Sequence, residues 1–280
     1  MKIINMTNNK RFSFEFFPPK TDAGKEKLEQ TWQDLQKLHP AFFSVTYGAG
    51  GSTRDNTFNI VKNMKAQGLS VAPHLSFGGD SEADMLALLN DYKALGIDRI
   101  VALRGDIPSG MGASRIVYAN ELVAFIRQHF GNHFHLEVAA YPEIHPESTS
   151  YTSDIQYLKQ KFDAGANSGL TQYFFNADAY FYFAEACQKA GITQPIYPGI
   201  MPITNFTNLQ RFSKGCGAEI PQWLIRKIES FGNDQEAVVE CGKEIIIRLC
   251  ETLLAGGAPG LHFYTMNQLQ PVQDIYEAVV

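Results

Sequence analysis

One feature constrains this chain more than any other: an alternation that repeats from end to end. Short runs rich in Val, Ile, Phe and Tyr alternate with longer segments of helical period. Parallel strands need a long crossover between them, and a helix is the usual one. The alternation therefore predicts a parallel sheet covered by helices. Eight strand runs are legible: 11–17 (RFSFEFF), 42–47 (FFSVTY), 71–75 (VAPHL), 99–104 (RIVALR), 134–141 (FHLEVAAY), 169–175 (GLTQYFF), 196–200 (IYPGI) and 260–266 (GLHFYTM). Helices are predicted near 23–38, 54–67, 81–95, 117–130, 153–164, 178–190, 205–214 and 269–279, with two more near 221–230 and 234–255 before the last strand. Gly68, Gly96, Gly165 and Gly191 close helices just ahead of strands, and Ser81 with Asp84 forms an Asp variant of the capping box. Eight such units in about 250 residues predict a (β/α)8 TIM barrel, with extra helices between strands seven and eight. The rival, a doubly wound sheet, carries a glycine fingerprint at its first turn, and FFPPK has no glycine there.

Composition narrows the function classes. Apolar residues make up 45% of the chain and charged ones 19%, enough for one sizeable core in a single barrel domain spanning 1–280. Lys plus Arg is 24, Asp plus Glu is 29 and the net charge is −5. That balance argues against nucleic acid and against anionic lipid as partners. No secretory h-region and no run of about 18 apolar residues is present, so a cytoplasmic chain without a membrane span is expected. Cys187, Cys216, Cys241 and Cys250 form no C-x-x-C pair and read as free thiols.

In a barrel of this kind the chemistry sits at the C-terminal strand ends. Alternation on strand one turns Phe12, Phe14 and Phe16 toward the helices and Ser13 and Glu15 into the barrel mouth. A carboxyl among phenylalanines is costly to ionise, so a raised pKa suited to a general acid is expected. The alternative is a Glu paired with an Arg from a neighbouring strand. The loop at 48–52, GAGGS, matches no phosphate-binding fingerprint and reads as a flexible loop. His74 reads either as a core histidine or as a site residue. Arg104 and Asp106, around Gly105, read as an internal ion pair or a polar clamp for a ligand. His133 and His135 begin strand five on the opposite face and are discounted as metal ligands. A mouth rich in aromatic and amide groups suits a flat, conjugated ligand.

Those same strand ends carry strings that resemble one family. They are FSFEFFPPK at 12–20, SVTYGAGG at 44–51, APHL at 72–75, VALRGD at 101–106, AAYPEIHPE at 139–147, DAGAN at 163–167, TQYFF at 171–175, PGIMPITNF at 198–206 and GLHFYTMN at 260–267. In order and in combination they resemble the 5,10-methylenetetrahydrofolate reductases. The resemblance implies a flavin-bearing barrel that uses FAD and NAD(P)H, in ping-pong fashion, to make 5-methyltetrahydrofolate for one-carbon metabolism and methionine synthesis. It implies Glu15 as general acid and Asp106 beside flavin and pterin as the second catalytic residue. It implies Thr46, His74, Arg104, Gly105, Asp106, Ala119, Tyr141, His145, Asp154 and Lys161 as FAD-binding residues. Gln172, Phe206, Tyr180 and Gln268 are the implied substrate contacts, and a homo-oligomer is expected. Two departures stand out: Gln268 and Gln160 occupy positions where relatives carry Arg. The chain ends after the eighth unit, so no inhibition by S-adenosylmethionine is expected. Two other readings fit a barrel of this kind: a folate-binding methyltransferase without redox chemistry, and a flavin-binding homologue without turnover.

Overall fold

The computed structural model describes residues 10–47, 51–77, 80–104 and 118–280. The strands are β1 (Arg11–Phe16), β2 (Phe42–Val45), β3 (Val71–Leu75), β4 (Arg99–Ala102), β5 (His135–Ala140), β6 (Ser168–Tyr173), β7 (Ile196–Ile200) and β8 (Gly260–Tyr264). Each pairs in parallel with the next, and β8 returns to β1, closing an eight-stranded barrel. The crossovers are α1 (Asp22–Gln36), α2 (Gly51–Ala66), α3 (Glu82–Ala94), α4 (Ala119–Phe130), α5 (Tyr151–Asp163) and α6 (Ala177–Lys189). Between β7 and β8 run α7 (Phe206–Cys216), α8 (Gln222–Glu229) and α9 (Gln235–Ala255), and α10 (Val272–Val279) closes the fold.

The strands predicted from sequence are all present. Their expected C-terminal ends run too far, to residues 47, 104 and 175 where pairing stops at Val45, Ala102 and Tyr173. Strand-forming side chains persist past the last ladder bond because the chain there is already bending outward to build the mouth. The Ser81–Asp84 capping box forms, and the four joint glycines take positive φ, from 76° at Gly96 to 113° at Gly165.

Two apolar layers hold the barrel. Phe14 and Phe16 point outward as expected, fully buried between strands and helices, with Phe14 stacked 5.4 Å from Phe263 and Phe16 5.5 Å from Phe43. Inside the barrel, Phe42, Ala72, Val101, Leu170 and Tyr197 form a separate cluster. Strands β2, β3 and β7 are consequently buried at every position.

The N-terminal end of the barrel is plugged by polar groups that the sequence did not single out. Glu137 is fully buried on β5, ion-paired with Arg99 and 3.3 Å from His135, and its Oε2 accepts from Ser168 Oγ at 2.5 Å. The Arg99 guanidinium also lies 4.5 Å from the Phe42 ring. His135 is therefore used structurally, in contact with Glu137 and Ser168.

β6 carries an irregular register between Leu170 and Tyr173. Thr171 Oγ1 accepts from Gly199 N at 2.8 Å, and the Thr171 carbonyl accepts from Tyr264 Oη at 2.7 Å. A Cβ at Gly199 would lie 2.1 Å from that carbonyl and 2.7 Å from the Tyr264 ring. Only glycine allows the three strands to approach this closely.

Candidate active site

Strand register converges five polar side chains at the mouth: Ser13, Glu15, Ser44, His74 and His262. β1 pairs Ser13 with His262 and Glu15 with both Ser44 and Tyr264. Glu15 Oε2 lies 3.1 Å from His74 Nε2 and 3.2 Å from His262 Nε2, and Ser44 Oγ donates to it at 3.4 Å. His262 Nδ1 is 2.7 Å from Ser13 Oγ. His74 Nε2 stands at ion-pair distance but off line, and it makes no hydrogen bond.

This cluster overturns the expected pKa of Glu15. Burial is the largest single influence and pushes the carboxyl up. The charge on His74 and the hydrogen bond from His262 together outweigh it and hold the carboxyl at about 2. The phenylalanines that suggested a raised value face the helices, and the neighbours inside the barrel are imidazoles. They also replace the Arg partner weighed as an alternative. His262 had a legible signal: it shares the parity of Tyr264 on β8, opposite the outward Phe263, so it had to point inward.

Glu15 lies at the closed end of a cleft of about 400 Å³. Phe17, Tyr173, Met201, Phe212, Tyr264 and Met266 supply its aromatic and apolar walls, with Gln172 and Arg211 as polar members. Gln172 Oε1 accepts from the Tyr173 amide at 3.0 Å, so its NH₂ is left to donate elsewhere. Asn267 clamps the β1 exit, accepting from Phe17 N at 3.0 Å and donating to Phe17 O at 2.8 Å. Burial first, then the Glu15 charge, pushes the Tyr264 hydroxyl well above its ordinary pKa, so it stays a neutral donor.

A second cluster gathers at the ends of β4 and β5. Arg104 forms a two-point ion pair with Glu147, one contact being 2.9 Å, so the ion-pair alternative applies to it, with Glu147 as partner. Tyr141 and His145 meet edge to face at 4.5 Å. Asp154 accepts from His145 N at 3.0 Å and from Ser148 Oγ at 2.8 Å. Lys161 Nζ donates to the Ala139 carbonyl at 2.8 Å, and desolvation depresses its pKa to about 8 despite the pull of Asp154. Thr46, half-buried, donates its amide to Phe16 O, and Ala119 is buried in the first turn of α4. Gly105, Asp106 and the glycine-rich stretch at 48–50 lie outside the described residues.

Three expected substrate contacts are placed differently. Tyr180 is corrected: it is buried in the core, stacked on Phe174, with its hydroxyl donating to Ile196 O at 2.8 Å. Phe206 opens α7 and packs half-buried on the core, one turn before the cleft residues. Gln268 is exposed on the turn after β8 and is not part of the cleft wall. Arg211, Phe212 and Cys216 were missed because they lie on α7, the helix predicted at 205–214, away from the strand ends where the chemistry was sought. Among the described residues, no group of His, Cys, Asp and Glu is arranged to hold a metal, and no helix is long and apolar enough to cross a membrane.

With this geometry in hand, comparison with known proteins is decisive. The family model for methylenetetrahydrofolate reductase matches residues 1–280. The chain belongs to the methylenetetrahydrofolate reductase family. A 5,10-methylenetetrahydrofolate reductase of Buchnera aphidicola (subsp. Schizaphis graminum) is 40% identical over 275 residues, covering 98% of this chain and 93% of that one. The Escherichia coli K12 enzyme of the same name is 39% identical over 259 residues, covering 92% and 86%. Among solved structures, a Clostridium thermocellum protein that binds two copies of 5-methyl-5,6,7,8-tetrahydrofolic acid superposes with a TM-score of 0.62. It covers 97% of this chain and 94% of its own, and at 17% identity it supports the barrel fold alone.

Proposed function

We propose that this methylenetetrahydrofolate reductase family member reduces 5,10-methylenetetrahydrofolate to 5-methyltetrahydrofolate with electrons from NAD(P)H. FAD is the hydride carrier of this reading. The observation that carries it is the Glu15–His262–His74 cluster at the closed end of an aromatic cleft. The family's substrate needs what this cleft offers: flat walls for a pterin and a proton at the point where a C–N bond opens.

The residues at the β4 and β5 ends fit a flavin dinucleotide. Lys161 is a desolvated cation whose one hydrogen bond, to Ala139 O, leaves two N–H groups for an anion such as pyrophosphate. Arg104, Tyr141, His145 and Asp154 gather at the same place, and the family resemblance adds Thr46 and His74. Gly105, Asp106 and Ala119 complete the set that the family resemblance implies. When bound there, FAD accepts hydride from the nicotinamide and supplies it to the one-carbon unit.

The chain's own part is proton handling and orientation. In the open cleft Glu15 is a carboxylate beside the two imidazoles. A ligand that fills the cleft strips water from Glu15, strengthening the desolvation that is already its largest influence. His262 Nε2, 3.2 Å from Oε2, is placed to pass it a proton, while Ser13 Oγ supports the far ring nitrogen. Glu15 delivers it to the substrate nitrogen that leaves as the imidazolidine ring opens. Gln172 donates its free NH₂ to the pterin and orients it.

The test is direct. Purified protein is expected to be yellow, with absorption near 450 nm, and to convert methylenetetrahydrofolate to 5-methyltetrahydrofolate at the expense of NADH or NADPH. A colourless protein that cannot be loaded with FAD, or a flavoprotein that leaves the folate unchanged, would contradict the reading.

A further inference from the structure

The cleft has two charged residues in its wall, Glu15 at its closed end and Arg211 on α7. Leu209 and Ser213 turn the inner face of α7 into the core. Arg211, Phe212, Gly215 and Cys216 fall on the face that lines the cleft. Arg211 is solvent-exposed and, among the described residues, has no ion pair or hydrogen bond. Its guanidinium carbon lies 5.2 Å from the ring of Phe212, which is itself 39% exposed. Elsewhere on this protein the cationic side chains near chemistry are engaged: Arg104 with Glu147, Lys161 with Ala139 O, Arg99 with Glu137.

An unpaired guanidinium set over an aromatic ring at the open end of a cleft is poised for a planar anion, because its fork matches a carboxylate at two points. Of the two charges in the lining, Glu15 is the buried one and Arg211 the exposed one, with aromatic side chains sharing the wall. A folate runs from a reducible pterin through an aromatic benzoyl spacer to glutamate carboxylates. Gln268, expected at the substrate, is neutral and outside the cleft wall, so it offers no charge to those carboxylates. We infer that Arg211 is the specificity-determining residue that anchors the carboxylates of the substrate's glutamate tail. This rests on the folate reading proposed above and assigns the outer end of the same site.

The experiment uses the FAD-loaded enzyme with two substrates, 5,10-methylenetetrahydrofolate and 5,10-methylenetetrahydropteroate, which lacks the glutamate. Parent, R211A and R211K are compared. R211A is expected to raise KM for the folate about tenfold, the scale of a lost charge-assisted contact, while moving KM for the pteroate by less than about twofold. R211K should recover part of the folate KM, since it keeps the charge but loses the fork. Added KCl should raise the folate KM of the parent and leave that of R211A nearly flat. A KM change of equal size on both substrates, or no change on either, would overturn the role of Arg211 while leaving the folate reading intact. A parent that turns over neither substrate would overturn both.

Discussion

At Glu15, burial and charge pull in opposite directions, and charge prevails while the cleft is open. Its position was legible from alternation alone, since Ser13 and Glu15 share the inward parity of β1. Its protonation state was not, because that depends on His74 and His262, which lie 59 and 247 residues away in the chain and meet it only when the barrel closes. Tyr180 teaches the converse: an aromatic residue expected at the substrate is a core residue, held by the Ile196 carbonyl. Lys161 yields a prediction of its own. Its pKa of about 8 means that the free protein loses this positive charge as pH rises through 8. The FAD dissociation constant should therefore climb above about pH 8, because binding an anion there must first draw a proton onto the amine. Lys161→Ala should weaken FAD binding about tenfold at pH 7 and flatten that alkaline rise. Flavin fluorescence on dilution measures both, and equal dissociation constants for parent and variant would remove Lys161 from the flavin site.

Elements fail or succeed in sequence reading according to how local their signals are. The eight strands and the helices α1 to α6 carry periodicity, caps and joint glycines within their own segments. The α7 wall carries no such mark of its use. Its cleft-facing residues are set by how the helix packs on Tyr173 at the end of β6, a tertiary fact. The irregular register of β6 was also hidden, since it arises from a close approach of three strands around Gly199. That approach is testable. Gly199→Ala places a methyl against the Thr171 carbonyl and the Tyr264 ring, so β6 or Tyr264 must shift. An unfolding free energy lower by about 2–3 kcal/mol is expected, as for overpacking of a tight core. KM for the folate should rise as well, because Gln172 sits on the displaced segment. Denaturant melts and steady-state kinetics read the two effects; unchanged stability would mean the backbone there has room to spare.

Across the whole molecule the barrel separates stability from chemistry by its two ends. The buried Glu137–Arg99–His135–Ser168 group at the N-terminal end is far along the strands from the mouth. Burial opposes ionisation of Glu137, yet the hydrogen bond from His135, the Arg99 charge and Ser168 lower its pKa overall. Its contribution is thus complete above its ordinary value of 4.5 and is lost as pH falls below it. Glu137→Leu leaves Arg99 and His135 without their carboxylate and should cost about 3–5 kcal/mol. Adding Arg99→Met should restore much of that loss, a non-additivity visible in denaturant melts. Folded enzyme of either variant should keep its flavin. Glu15 at the opposite end should behave in the reverse manner, touching one half of the reaction more than the fold. Anaerobic stopped-flow at 450 nm on Glu15→Gln tests this most directly, because glutamine keeps the shape but cannot donate the proton. Reduction of the flavin by NADH should proceed within a few-fold of the parent rate, and reoxidation by methylenetetrahydrofolate should slow by about 10² or more. Equal slowing of both halves, or of neither, would contradict the assignment of Glu15 as the proton donor.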